Sequence, residues 1–342
     1  MSVRLAVQGA GLIGRRHVEY IQASDQASLC AIVDPAPAAE AYAAGFGCPW
    51  FPDFASMLAA QRPDGVIVAT PNQMHVENGL ACIKAGIPVL VEKPIADDVA
   101  SANALVEAAE RAGVPLLVGH HRRHNPLIAA ARAAIDAGRL GRIVAVHGIC
   151  WFAKPEGYFA PAWRRAKGAG PVLVNLIHDI DLLRALCGEV ESVQAMESNA
   201  LRGHAVEETA VILLRFASGA LGTVTVSDIV AAPWSWEFTS DENPDHTKTA
   251  ESCYQIGGTL GSMSLPGLDV WTHGASPNWW TPIVKTTLET RNQAPLANQI
   301  RNFCGVIRGT AEPVVSGREG LATLKVIAAI KQAAETGQIV TV

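Results

Sequence analysis

Through its first 120 residues the chain alternates two kinds of hydrophobic pattern. Short, nearly continuous apolar runs read as strands buried on both faces: VRLAVQG at 3–9, SLCAIVD at 28–34, DGVIVAT at 64–70, PVLVE at 88–92 and PLLVGH at 115–120. Between them lie helical patterns at about 12–23, 36–44, 73–85 and 99–113, the last two ended by Gly86 and Gly113. This alternation predicts an α/β fold with a doubly wound parallel sheet, covered on both faces.

After His121 the rhythm changes. A helix is expected over 126–137 and a long strand in RIVAVHGICWF at 142–152, followed by a loop rich in Pro, Gly, Trp and Arg. The helix NLIHDIDLLRALCG ends at Gly188. VESVQAMES, ETAVILLRFASG and ALGTVTVSD then read as successive strands, with Ser218-Gly219 at a hairpin turn. Strand-rich sequence runs to about Lys285, broken by a polar loop at 239–248, and helices at 296–308 and 318–335 close the chain. The second part is thus expected to be α+β with a mostly antiparallel sheet. The domain boundary is expected at 121/122, with the final helix free to pack back on the first domain.

Bulk properties narrow the class. A chain of 342 residues has room for two domains, and 49% hydrophobic with 17% charged residues is ordinary globular composition. A net charge of −5 argues against nucleic acid or an anionic membrane as partner. The 7 cysteines are scattered, with no CxxC pair, which fits a reducing compartment rather than a disulfide or zinc framework. The chain enters a strand at once and no apolar run is long enough to span a bilayer, so a cytoplasmic protein without a signal peptide is expected.

The stretch GAGLIG (Gly9, Gly11, Gly14) matches G-x-G-x-x-G, preceded by a strand and followed by a helix. Gly9 would permit the tight turn, Gly11 the approach of a pyrophosphate, and Gly14 close helix–strand packing. The helix N-terminus, from Leu12 and Ile13, would offer N–H groups to the phosphates. Asp34 ends the second strand, where it would accept ribose hydroxyls and repel a 2′-phosphate. NAD is therefore the preferred cofactor, with NADP the alternative because Arg15 and Arg16 are near. A plain strand–helix turn is the competing reading.

ATPNQMH (69–75) follows the third strand and EKP (92–94) the fourth, where open α/β sheets bind ligands. With GAGLIGRRH, GHHRRHNP (119–126), GAGPVLVNLIHDIDLL (168–183) and the C-terminal segment 313–342, they resemble the Gfo/Idh/MocA oxidoreductases nearly end to end. The resemblance implies a Rossmann domain followed by a domain built on a large open sheet that serves dimer or tetramer contacts. It implies hydride transfer between nicotinamide and a hydroxyl-bearing carbon. Cofactor contacts are expected from Thr70, Asn72, His75, Glu92, Lys93 and His121 in addition to the glycine turn. The resemblance also implies Lys93 at the reacting oxygen and His178 as acid/base.

Elementary chemistry agrees: alcohol oxidation must lose a proton as hydride leaves, a histidine can take it, and an ammonium stabilises the alkoxide. A lone histidine in an apolar helix is otherwise a satisfied core residue. One departure stands out: the family's aspartate four residues before this histidine is here Val174. Asn175 or Asp181 is left to orient His178, or His121 to share the proton work.

Arg122, Arg123, Arg164 and Arg165 are many guanidiniums for a neutral sugar, and arginine pairs bidentately with carboxylate. The expected substrate is a sugar, cyclitol, sugar acid or cyclic diol acid, touched by Lys93, Arg122, Tyr158, Trp163, Arg164, Asn175 and His178. Cofactor phosphates or structural ion pairs are the competing use of the arginines. No metal is expected. A redox-assisted glycoside hydrolase using retained NAD is the alternative activity, and a non-catalytic cofactor-sensing regulator is the third.

Overall fold

The computed structural model describes residues 2–273, 277–291 and 293–342. In chain order the elements are β1 (Val3–Gln8), α1 (Leu12–Gln22), β2 (Ala27–Val33), α2 (Ala38–Ala44), β3 (Trp50–Phe51), α3 (Phe54–Ala60), β4 (Gly65–Val68), α4 (His75–Lys84), β5 (Val89–Val91), α5 (Val99–Ala112) and β6 (Leu116–Val118). Next come α6 (Pro126–Asp136), β7 (Ile143–Trp151), α7 (Ile177–Cys187), β8 (Val190–Ser198), β9 (Thr209–Phe216), β10 (Leu221–Ser227), α8 (Trp236–Thr239), β11 (Tyr254–Gly258), β12 (Gly261–Leu265), β13 (Asp269–His273), β14 (Ile283–Thr287), α9 (Pro295–Ile307), α10 (Gly317–Thr336) and β15 (Val340–Thr341). They divide into two units, 1–125 with 293–324, and 126–292 with 325–342.

The first unit is a parallel sheet in the order β3-β2-β1-β4-β5-β6, the strand order of a dinucleotide-binding fold. β4 and β5 are buried at every position, as a sheet covered on both faces requires. α1 turns Gly14, His17, Val18 and Ile21 inward, one helical face. α5 is started by Asp98, whose carboxylate accepts the Ser101 N–H at 2.8 Å, and stopped by Gly113 at a φ of +62°.

The division departs from the simple boundary expected at 121/122, because 293–324 returns to the first unit. α9 turns Ile300, Phe303, Cys304 and Val306 into the core formed by Val3, Leu5, Ile21 and Ile67. Covering such side chains contributes on the order of 1.5–3 kcal/mol each. The first turns of α10 lie beside it in sequence: Arg123 pairs with Glu319 at 2.8 Å, and Arg318 with Glu110. The short β3 and α3 lie in a stretch whose periodicity had suggested no element.

The second unit is one mixed sheet, β14-β13-β12-β11-β7-β10-β9-β8-β15. Every pairing is antiparallel except β7 with β10. Gly219, at a φ of +86°, makes the β9–β10 hairpin turn. Alternation along β9 puts Ala210, Ile212, Leu214 and Phe216 into the core with residues of α7 and of α10 from Val326 onward. Val211, Leu213 and Arg215 point to the other, open face. Among the described residues no helix is long and apolar enough to cross a membrane.

Candidate active site

In the first unit the glycine turn is built by close approach. Gly9 has a φ of +100°, and a Cβ there would stand 2.5 Å from the Ala69 carbonyl oxygen. A Cβ at Gly14 would overlap the Gly9 carbonyl. At Gly11, in contrast, a Cβ would meet nothing within 4 Å, and the next side chain, Leu12, is 85% exposed. The start of α1 has no side-chain cap, so the helix presents its first N–H groups beside open space. That geometry fits a pyrophosphate.

Asp34 is half-buried at the end of β2. Its two carboxylate oxygens accept the N–H groups of Ala10 (2.7 Å) and Ala36 (2.8 Å). It therefore holds the glycine turn itself, and each oxygen keeps a further lone pair for a ribose hydroxyl. Arg15 lies over the Tyr42 ring at 4.5 Å and donates to the Ala10 carbonyl.

The loops after β4, β5 and β6 hold the other expected residues of this unit. Thr70 and Asn72 are half-buried, and Thr70 Oγ1 accepts from Asn78. His75 is buried, with Nδ1 at 2.7 Å from the Pro94 carbonyl and Nε2 at 2.9 Å from the Thr70 carbonyl. Its ring thus sits between the β4 and β5 loops, each nitrogen against a backbone carbonyl. Glu92 is buried, and its Oε1 lies 2.7 Å from Nε2 of His17, a residue of α1 that motif reading passed over. Burial would raise the Glu92 pKa, but the His17 hydrogen bond and electrostatic interaction with His17, His121 and Lys93 hold it down at about 2. A Cβ on Gly119, at the end of β6, would stand 2.7 Å from that carboxylate, so this glycine leaves the room it needs. Lys93, half-buried, is fixed at its backbone by an N–H to Glu92 Oε2 at 3.1 Å. Arg122 is buried, and Arg123 is committed to Glu319.

In the second unit, α7 is entered through a wider, π-helical turn at Val172–Leu176. Such turns recur at functional sites. Asn175 lies on it, half-buried, with Oδ1 shielded and without a protein partner. His178 stands in the first turn of α7 and is 7% exposed. Asp179 accepts the hydroxyl of Tyr254, whose ring stacks on Trp236, so this aspartate serves the core. Asp181 is also buried.

The segment after β7 collects cations. Lys154 has a buried ammonium 3.5 Å from Asp228 and 4.6 Å from the Tyr158 ring centroid. Burial pushes its pKa down, against the pull of Asp228. Arg202 pairs with the same aspartate and covers the Phe159 ring. Arg164 stacks on Tyr158 at 3.9 Å and donates to its carbonyl, while its Nε is buried without a protein partner. Trp163 is 60% exposed. Lys154, Arg202 and Asp228 were not singled out from the sequence; a lone lysine after a strand carries no spacing signal.

Comparison with known proteins places two parts of the chain in one family. Residues 3–120 match the family described as "Oxidoreductase family, NAD-binding Rossmann fold", and 128–264 match the "GFO/IDH/MocA C-terminal domain". The chain is 30% identical to inositol 2-dehydrogenase of Rhizobium meliloti over 345 residues, covering 99% of each. It is 28% identical to D-apiose dehydrogenase of Paraburkholderia graminis, covering 98% of this chain and 88% of that one. Among solved structures it is similar to the WlbA dehydrogenase of Bordetella pertussis, crystallised with NADH and UDP-GlcNAcA. That match has a TM-score of 0.80 and 29% identity, covering 100% of this chain and 99% of the other. With this end-to-end relationship and a first unit shaped for a dinucleotide, the chain belongs to the Gfo/Idh/MocA family of NAD-binding oxidoreductases.

Proposed function

We propose that the protein is a dehydrogenase that oxidises a hydroxyl-bearing carbon of a sugar, cyclitol or sugar acid with NAD. The observation that carries this reading is the end-to-end relationship to inositol 2-dehydrogenase, in a chain that has Lys93 in the EKP motif on the β5 loop and His178 at the start of α7. NAD, when bound, supplies the hydride acceptor. The first unit would hold it: N–H groups at the start of α1 bind the phosphates over Gly11, and Asp34 takes the ribose hydroxyls. Thr70, Asn72 and Glu92 shape the rest of that surface, while His75 acts from beneath by joining two loops. Lys93 donates to the substrate oxygen as negative charge develops, and His178 holds the proton it releases.

The second unit would set substrate class. Asn175 Oδ1 and Arg164 Nε are shielded polar atoms without protein partners, which suits a ligand offering both hydroxyls and an acceptor such as a carboxylate. Tyr158 and Trp163 flank that guanidinium. We also read the open face of the large sheet as the surface on which a second copy associates. Its central positions, Ile149, Thr223, Val211 and Leu213 among them, are largely uncharged, as interface cores are.

The test is reduced-nicotinamide absorbance with NAD and with NADP against myo-inositol, D-apiose, neutral aldoses and uronic acids. One class should reduce NAD, with Lys93→Met and His178→Asn each lowering kcat by roughly 10²–10⁴-fold. Full turnover in both variants, or no reduction across the panel, would overturn the reading.

A further inference from the structure

Two consecutive carboxylates lie in the segment leading into β9. Glu207 and Glu208 are 7% and 4% exposed. Their side chains go to different partners. Glu208 accepts the backbone N–H groups of Leu201 and Arg202 at 2.7 and 2.8 Å. Glu207 Oε1 accepts the N–H of Val172 at 3.1 Å, and its Oε2 takes the ammonium of Lys331 on α10 at 2.7 Å. Lys331 is also bound by Glu197 of β8, at 2.7 and 2.8 Å. A Cβ on Gly170 would overlap the Glu207 carboxylate, so the glycine is what lets the acid reach the turn.

Val172 opens the π-helical turn, and the first N–H groups of any helix lack an internal acceptor. A buried carboxylate there satisfies one of them and lies favourably in the helix dipole. The turn carries Asn175 and runs directly into His178. A π turn holds one residue more than an α turn. Relaxing it to α register would rotate the residues on its N-terminal side against α7 by about 100°.

We infer that Glu207 is a positioning residue for the reaction: anchored by Lys331, it clamps the start of the wide turn and so sets Asn175 against His178. The inference rests on the reading of His178 as the acid/base.

The test uses the full chain, labelled with 15N-histidine and saturated with NAD, with the His178 ring signals assigned through His178→Asn. Glu207→Ala should move those signals and leave the His17 and His75 signals in place. With the panel substrate that reduces NAD, kcat should fall by about 10²-fold while KM and NAD affinity stay within about twofold. Glu207→Gln, which still offers an acceptor to Val172, should restore the His178 signals and most of kcat. Gly170→Ala displaces the same carboxylate and gives the same readouts should Glu207→Ala not fold. Unchanged His178 signals and kcat in Glu207→Ala or Gly170→Ala would overturn the inference. Full turnover by His178→Asn would instead overturn the functional reading, with the effect of Glu207 on the ring still measurable.

Discussion

Replacing His17 by leucine isolates the hydrogen bond that holds the buried Glu92 carboxylate next to Lys93. Glu92 is buried, and His17 Nε2 stands 2.7 Å from its carboxylate. A carboxylate held at about 2, against 4.5 when unperturbed, carries about 3 kcal/mol of stability at neutral pH. Because the folded pKa is the lower one, that stability is fully present above about pH 4.5 and is lost as pH falls towards 2. His17→Leu leaves burial to dominate, so the Glu92 pKa rises and a charge stays buried with its main partner gone. The cost at pH 7 is expected to be about 3–5 kcal/mol. For a unit of this size that lowers Tm by roughly 10 °C. Since the variant's Glu92 takes up a proton more readily, its deficit against wild type should narrow below about pH 5. The assay is thermal and urea unfolding of wild type, His17→Leu and the double variant His17→Leu/Glu92→Leu at pH 7 and about pH 4. The double variant removes the buried carboxylate as well and should recover much of the loss. A deficit under about 1 kcal/mol at pH 7, a deficit equal at both pH values, or a double variant no better than the single would refute the reasoning.

Gly14→Val puts side-chain atoms where the Gly9 carbonyl lies. It should cost about 1–3 kcal/mol of stability and abolish NAD binding measured by calorimetry; wild-type affinity would show that the turn tolerates a side chain. Leu213→Glu, on the open face of β9, should leave Tm within a degree or two and reduce the light-scattering mass to that of one chain; an unchanged oligomer would remove this face as the association surface.

Local pattern and short-range chemistry determined much of this protein from its sequence. The continuous apolar strands, the amphipathic helices between them and the Gly9–Gly11–Gly14 turn are each specified within a few residues, by side-chain burial and by the φ that only glycine adopts freely. Asp34 was singled out by its offset from the glycine turn at a strand end, and Lys93 by its place after a strand together with the family resemblance. His75 was legible as a member of its motif, but its role was not. Only the fold shows both its nitrogens against carbonyls from two loops. His17–Glu92, 75 residues apart, and Val172–Glu207–Lys331, spread over three elements, have no spacing rule. Such pairs form where sheet order brings distant strand ends together, and burial then makes the pairing obligatory. The return of α9 to the first unit has the same cause. Its apolar stripe states that it must be covered, but which sheet covers it is decided by the area each unit leaves open, a quantity that exists only once the chain has folded.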